Sequence, residues 1–180
     1  ARHAEVPAAL DALAARLARR GVVMGSHDDA TPEARASWRT RGVRIAEFPE
    51  TRATVAAAAS AGDPVVMGAP NVVRGGSHDG KVAAEEVIAA GAVTALASDY
   101  HFPSLRAAAA HLAPRMGLPA AWALISERPA EVLGLGDRGR LVPGQRADAV
   151  VLDADGRVGA TFAAGVPRYM AGPVAARFLA

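Results

Sequence analysis

The feature that most constrains this chain is a repeated alternation of short apolar runs with helix-forming stretches closed by glycine. Runs begin at Val22, Val43, Val65 and Val93, and helical stretches over 31–41, 50–61, 81–90 and 103–116 stop at Gly42, Gly62, Gly91 and Gly117. Each run is continuously apolar, as expected of strands in a parallel sheet covered by helices. Thr31-Pro32-Glu33 opens one helix with a cap, a proline suited to the first turn and an acid at the positive pole. Four such units over about 100 residues make roughly half of an eight-stranded barrel of ~250 residues. A small, open, doubly wound sheet is the competing architecture. Polar residues gathered at the carboxyl end of every run favour the half barrel.

Around these units, residues 4–20 read as an amphipathic helix with Val6, Leu10, Leu13 and Leu17 on one face. Residues 119–135 read as two short helical pieces broken at Pro129. From Gly136 onward, glycine and proline punctuate short β runs, with Asp155-Gly156 placed as a hairpin turn. The expected fold class is α/β: a partial (β/α)8 TIM-type barrel over residues 1–135, with a small carboxyl-terminal β appendage over 136–180.

Composition narrows the function. With 51% hydrophobic and 21% charged residues, the 180-residue chain can build a sizeable core. Its net charge is only +2 and its cations form no stripe, so nucleic-acid binding is not expected. No cysteine means no disulfide, thiolate metal site or cysteine nucleophile. No apolar run approaches a membrane span and no signal-peptide pattern opens the chain, so a cytoplasmic address is expected. The chain starts Ala1-Arg2-His3, already entering a helix, which is expected of the rear part of a longer protein.

The candidate chemistry lies at the run ends. His27, followed by Asp28 and Asp29, offers an imidazole for a metal with a carboxylate beside it, or simply a polar loop. Glu47 is a base, a ligand or a salt-bridge partner in the barrel mouth. Between residues 70 and 81, Asn71, Arg74, Gly75, Gly76, Ser77, His78 and Lys81 read as a basic glycine loop. Its backbone N–H groups and the start of the following helix would meet an anion, with Arg74 gripping phosphate oxygens and Lys81 adding a point charge. A flexible glycine loop without a ligand is the plainer alternative. Asp99 emerges from the last apolar run, where a buried carboxylate needs a metal or ionic partner; a cap for the helix at 103–117 is the other reading. His101 is near enough in sequence to reach the same rim.

Four segments carry a resemblance: SHDDAT at 26–31, AEFPET at 46–51, MGAPNVVRGGSHDG at 67–80 and ASDY at 97–100. They closely resemble a diphosphatase family of phosphonate catabolism within the amidohydrolase superfamily. GRLVPGQRADAV at 139–150 is similar to the general carboxyl-terminal signature of that superfamily. The resemblance covers the chain from about residue 20 onward. It implies His27 and Asp99 as ligands of a divalent metal (zinc, manganese or iron), with Asp99 also activating water, and 71–81 as the phosphate-binding segment. It also implies hydrolysis of a ribosyl 5-triphosphate to the 5-phosphate and pyrophosphate. The superfamily's first-strand histidine pair and mid-barrel bridging residue have no counterpart in these residues. The metal site is therefore expected to be incomplete, and the chain weak or inactive alone. A phosphorylated small molecule is the expected partner, with either a second copy or a missing amino-terminal half. C–N bond hydrolysis and a non-catalytic phosphate-binding half barrel are the alternatives.

Overall fold

The computed structural model describes residues 5–76 and 80–178. The first part runs α1 (Val6–Ala18), β1 (Gly25–His27), α2 (Pro32–Thr40), β2 (Ile45–Glu47), α3 (Arg52–Ser60), β3 (Val65–Gly68), α4 (Ala69–Arg74), α5 (Ala84–Ala89), β4 (Ala95–Ala97), α6 (Ser104–Met116), α7 (Leu118–Ala123) and α8 (Glu127–Val132). The four strands form one parallel sheet in the order β1-β2-β3-β4. That order decides between the two architectures. A doubly wound sheet reverses direction partway, whereas here every crossover steps the same way, and right-handed crossovers then put the helices on one side. The chain is a partial β/α barrel.

Local chemistry explains the element boundaries. Thr31 and Thr51 accept the N–H groups of Ala34 and Thr54 at 3.2 and 3.1 Å, capping α2 and α3. Gly42 and Gly62, at φ 78° and 71°, turn the chain out of those helices toward the next strand. Strand residues then alternate between two faces. Ala46, Val65, Met67 and Leu96 pack with Val55, Ala58, Val72, Val87, Ala108 and Leu112 in one core against the helices. Alanines at 46, 58, 69, 84, 108 and 121 are fully buried, so small side chains hold the layers close.

Among these apolar contacts runs an ionic network that binds α2 to the sheet. Arg35 is 2% exposed. Its guanidinium donates to Ser26 Oγ at 2.6 Å, Asp29 Oδ2 at 3.2 Å, the Ile45 carbonyl at 3.1 Å and the Val43 carbonyl. Buried Asp63 accepts from Arg39 at 2.6 Å and Arg44 at 2.8 Å, and its second oxygen lies 3.6 Å from Arg35 Nε.

Several sequence expectations are corrected here. The strand expected from Val22 begins only at Gly25, and Val22 and Val23 are 45% and 50% exposed because β1 is an edge strand. The apolar stripe of α1 is open as well, with Leu13 52% exposed. The 70–80 stretch is not a loop throughout, because α4 follows β3 directly. The helix expected from Lys81 starts at Ala84. Pro129 lies inside α8, and the break falls between α7 and α8.

The appendage is a second sheet, β5 (Ala149–Leu152), β6 (Val158–Ala163) and β7 (Val166–Met170), antiparallel in that order. Its first turn is the expected one: Asp153 Oδ1 accepts the N–H groups of Asp155 and Arg157 at 2.9 and 2.8 Å, and Gly156 takes φ 73°. A last helix, α9 (Gly172–Phe178), has no forerunner in the sequence reading. Among the described residues, no helix is long and apolar enough to cross a membrane.

Candidate functional site

The strand ends are shaped by backbone strain. Asp28, Phe48 and Asp99 have φ of 57°, 53° and 50°, in the left-handed region that non-glycine residues seldom adopt. They follow β1, β2 and β4. Asp28 N–H and Phe48 N–H still bond the next strand, to Glu47 O at 3.0 Å and Val66 O at 2.9 Å, before the chain turns away. Such strain persists where surrounding structure imposes it, and it gathers at functional sites. Its local result is to swing side chains over the carboxyl rim.

A cleft of about 260 Å³ opens there, lined among others by His27, Asp28, Asn71, Arg74, Lys81 and Asp99. Residues singled out over more than 70 positions of sequence thus converge on one place. Around the cleft runs a chain of opposite charges. His27 Nδ1 lies 3.1 Å from Glu47 Oε2 and Nε2 lies 3.6 Å from Asp28 Oδ2, with the ring edge-on to Phe48. Lys81 Nζ lies 3.7 Å from the same Asp28 oxygen and 2.7 Å from Glu50 Oε1. Glu47 is therefore the partner of His27 in the barrel mouth and does not itself line the cleft.

The paired-glycine cradle is corrected. Pro70 in the first turn of α4 has no N–H to lose and already holds a helical φ, so the helix starts at once. Gly75, at φ 75°, then closes it. The N–H groups of Gly75 and Gly76 are spent on the carbonyls of Val72 and Asn71, at 3.1 and 3.2 Å. Asn71 uses both ends of its amide to brace the next segment, accepting from Ala84 N at 3.0 Å and donating to Val82 O at 3.3 Å. The N–H at the head of α5 is thereby taken too. Ser77 and His78 lie outside the described residues.

Asp99 is also corrected in part. It lines the cleft but is exposed, since burial along β4 stops before it. It is not the cap of α6; that turn is held by Ser104 Oγ donating to His101 O at 2.6 Å. His101 is exposed and does not line the cleft. Two residues the sequence reading passed over belong to the site. Glu50 fixes Lys81, and Tyr100 accepts a hydrogen bond from Arg74. Both sit in segments already quoted, immediately beyond a strand end, and that position was the available signal.

Among the described residues, no three histidine, aspartate or glutamate side chains converge to hold a metal ion. His27 has a carboxylate at each ring nitrogen. The described donors do not by themselves make a metal centre.

Comparison with solved structures shows a fold shared with two hydrolytic enzymes. An N-acetylglucosamine-6-phosphate deacetylase from Thermotoga maritima superposes with TM-score 0.66 at 17% identity, over 88% of this chain and 56% of that one. An adenosine deaminase from Xanthomonas campestris, solved with bound zinc, gives 0.64 at 17% identity over 91% and 49%. These likenesses show the fold alone, a partial barrel that covers about half of each neighbour. The particular relative is the alpha-D-ribose 1-methylphosphonate 5-triphosphate diphosphatase of Escherichia coli (strain K12), 43% identical over 145 residues. That match takes in 78% of this chain but 38% of the relative, so the chain spans well under half of the protein it resembles. No family model matches the chain.

Proposed function

We propose that this chain carries the phosphate-facing part of the active site of a diphosphatase acting on a ribosyl 5-triphosphate. The observation that supports this reading best is the meeting of Arg74, Lys81, Asp99 and His27 in one cleft, in a chain 43% identical to such a diphosphatase. Arg74 grips phosphoryl oxygens through its planar fork, and Lys81, anchored by Glu50, supplies a fixed positive charge. Water adds to the α-phosphorus, the α–β bridging P–O bond breaks, and pyrophosphate leaves. Asp99 accepts the proton of the attacking water, its exposure keeping it reachable.

The charges set a limit on what these residues do alone. Arg74 and Lys81 face Asp28 and Asp99 across the same cleft, and Lys81 is already paired. Turnover of a triphosphate needs more positive charge than this balance leaves, although a phosphoryl group can still be held by Arg74 and Lys81. His27 and Asp99 would be two of the donors of a divalent metal that polarises the phosphoryl group, its other donors coming from outside the described residues. The isolated chain is accordingly weak or inactive, and a second copy or an amino-terminal half completes it along the open β1 edge.

The test measures metal content and pyrophosphate release of the chain and its Asp99→Asn variant. The expectation is under one tight ion per chain and turnover far below that of the E. coli relative. Turnover at a complete enzyme's rate would refute the half-site reading. Release of ammonia or acetate from amino-sugar or nucleoside substrates, without pyrophosphate release, would favour C–N hydrolysis instead.

A further inference from the structure

We propose that Tyr100 is a positioning residue for Arg74, and that the pair forms a two-donor clamp for a phosphoryl oxygen; this rests on the phosphate reading of the cleft. Arg74 ends α4 and Tyr100 follows β4, so the pair ties together two neighbouring strand ends. The Arg74 guanidinium donates through Nη1 to the Tyr100 hydroxyl and lies 5.9 Å from the ring centroid, within cation–π range. Both side chains are exposed and both line the cleft beside Asp99.

The chemistry follows from the donor inventory. A long arginine side chain at the end of a six-residue helix samples many rotamers unless something holds it. Tyr100 has two side-chain torsions, and its backbone is fixed. Asp99 takes its strained φ of 50°, His101 N–H bonds Ser98 O at 3.0 Å, and Ser104 N–H bonds His101 O at 3.0 Å. Tyr100 is therefore the rigid member of the pair. Because its oxygen accepts from Arg74, its own proton is directed elsewhere. Arg74 uses one of its five N–H donors on Tyr100, and no described carboxylate pairs with it. Guanidinium and phenol together thus offer converging donors to one anionic oxygen, the geometry that suits a phosphoryl or phosphonyl group.

The experiment titrates pyrophosphate calorimetrically into the full 180-residue chain and into Tyr100→Phe, Arg74→Gln and the double variant. The guanidinium nitrogen signals of Arg74 are followed by NMR in the same samples. Tyr100→Phe keeps the ring and removes the hydroxyl, and should weaken binding about tenfold. The double variant should bind no more weakly than Arg74→Gln alone, because the two groups act as one unit. The Arg74 signal should lose its slow exchange in Tyr100→Phe while the melting temperature stays put. Wild-type affinity in Tyr100→Phe, or strictly additive losses, overturns the clamp and leaves the phosphate reading standing. No pyrophosphate binding by the wild type overturns the phosphate reading and the clamp's ligand with it. In that event the NMR signal still decides whether Tyr100 holds the guanidinium.

Discussion

The two faces of the four-stranded sheet are built on different terms. Toward the helices, Ala46, Val65, Met67 and Leu96 are at most 3% exposed and belong to one continuous core. At the carboxyl rim, His27 and Asp99 are exposed, and what surrounds them is a ring of charges on strained turns. The helix side draws its favourable free energy from area removed from water, and the groups that do this all lie within the chain. Among the described residues, the rim gathers polar side chains but no three that could hold a metal ion. Stability and the proposed chemistry thus rest on different residues, and each should fail independently of the other.

The comparison breaks most visibly at Arg35. Arg35→Ala leaves Asp29 and Asp63 buried without their shared cation, and should cost about 3–5 kcal/mol in urea unfolding. A loss near zero would mean that the helix side does not depend on its one large buried polar group. Leu96→Ala removes a buried side chain from the same face and should cost about 2–5 kcal/mol, the exact figure depending on how far the site collapses. Asp99→Asn, just beyond the end of the same strand, should stay within about 0.5 kcal/mol of wild type while abolishing any metal binding and turnover. If Asp99→Asn unfolds the chain, rim and core are one system and the separation is wrong.

The same division explains what could be read from the sequence. Strand and helix existence was legible because burial on one face writes apolar runs and glycine stops into the chain, as at Val65–Gly68 and Gly62. Their ends were not, because Val22 and Val23 are as apolar as a buried strand yet lie at an open edge. The gathering of His27, Arg74, Lys81 and Asp99 was legible, since His27 ends β1, Asp99 follows β4, Arg74 and Lys81 lie on the connection after β3, and a parallel sheet brings such carboxyl ends together. The glycine pair misled: Pro70 and Gly75 are five residues apart, which is a start and a stop for one short helix, and the pair was read as a cradle. Arg35 gave no warning. A helix residue's burial depends on which residues lie beneath it, here Ser26 of β1 and Asp29 just after it, and that pairing is tertiary.

Smaller effects test where the helix side itself ends. The β4 edge is partly covered, since Leu96 N–H donates to Leu124 O at 2.8 Å, whereas no described strand pairs with the outer side of β1. Leu13, Val22 and Val23, in the helix and turn that lead into β1, are exposed. Leu13→Lys should therefore leave stability within about 0.5 kcal/mol while lowering any self-association seen by light scattering. A monomeric wild type at high concentration would show instead that the open side does not recruit a second copy.

The smallest effect is a pH dependence between two helices. Glu85, in the first turn of α5, bonds Arg115 and also His111 Nε2 at 2.7 Å on α6. The Arg115 hydrogen bond above all holds its carboxyl below the ordinary 4.5, partly offset by burial and reinforced by His111. A lowered carboxyl pKa stabilises the fold fully above the unfolded value, and that contribution disappears as pH falls through the folded one. The α5–α6 link should therefore weaken below about pH 4.5, and Glu85→Gln should flatten that part of the acid limb. Arg115 is 66% exposed, so screening keeps the contribution under about 1 kcal/mol and added salt should shrink it further. An acid limb identical in wild type and Glu85→Gln would mean that α5 is held by its apolar contacts alone, through Ala84 and Val87.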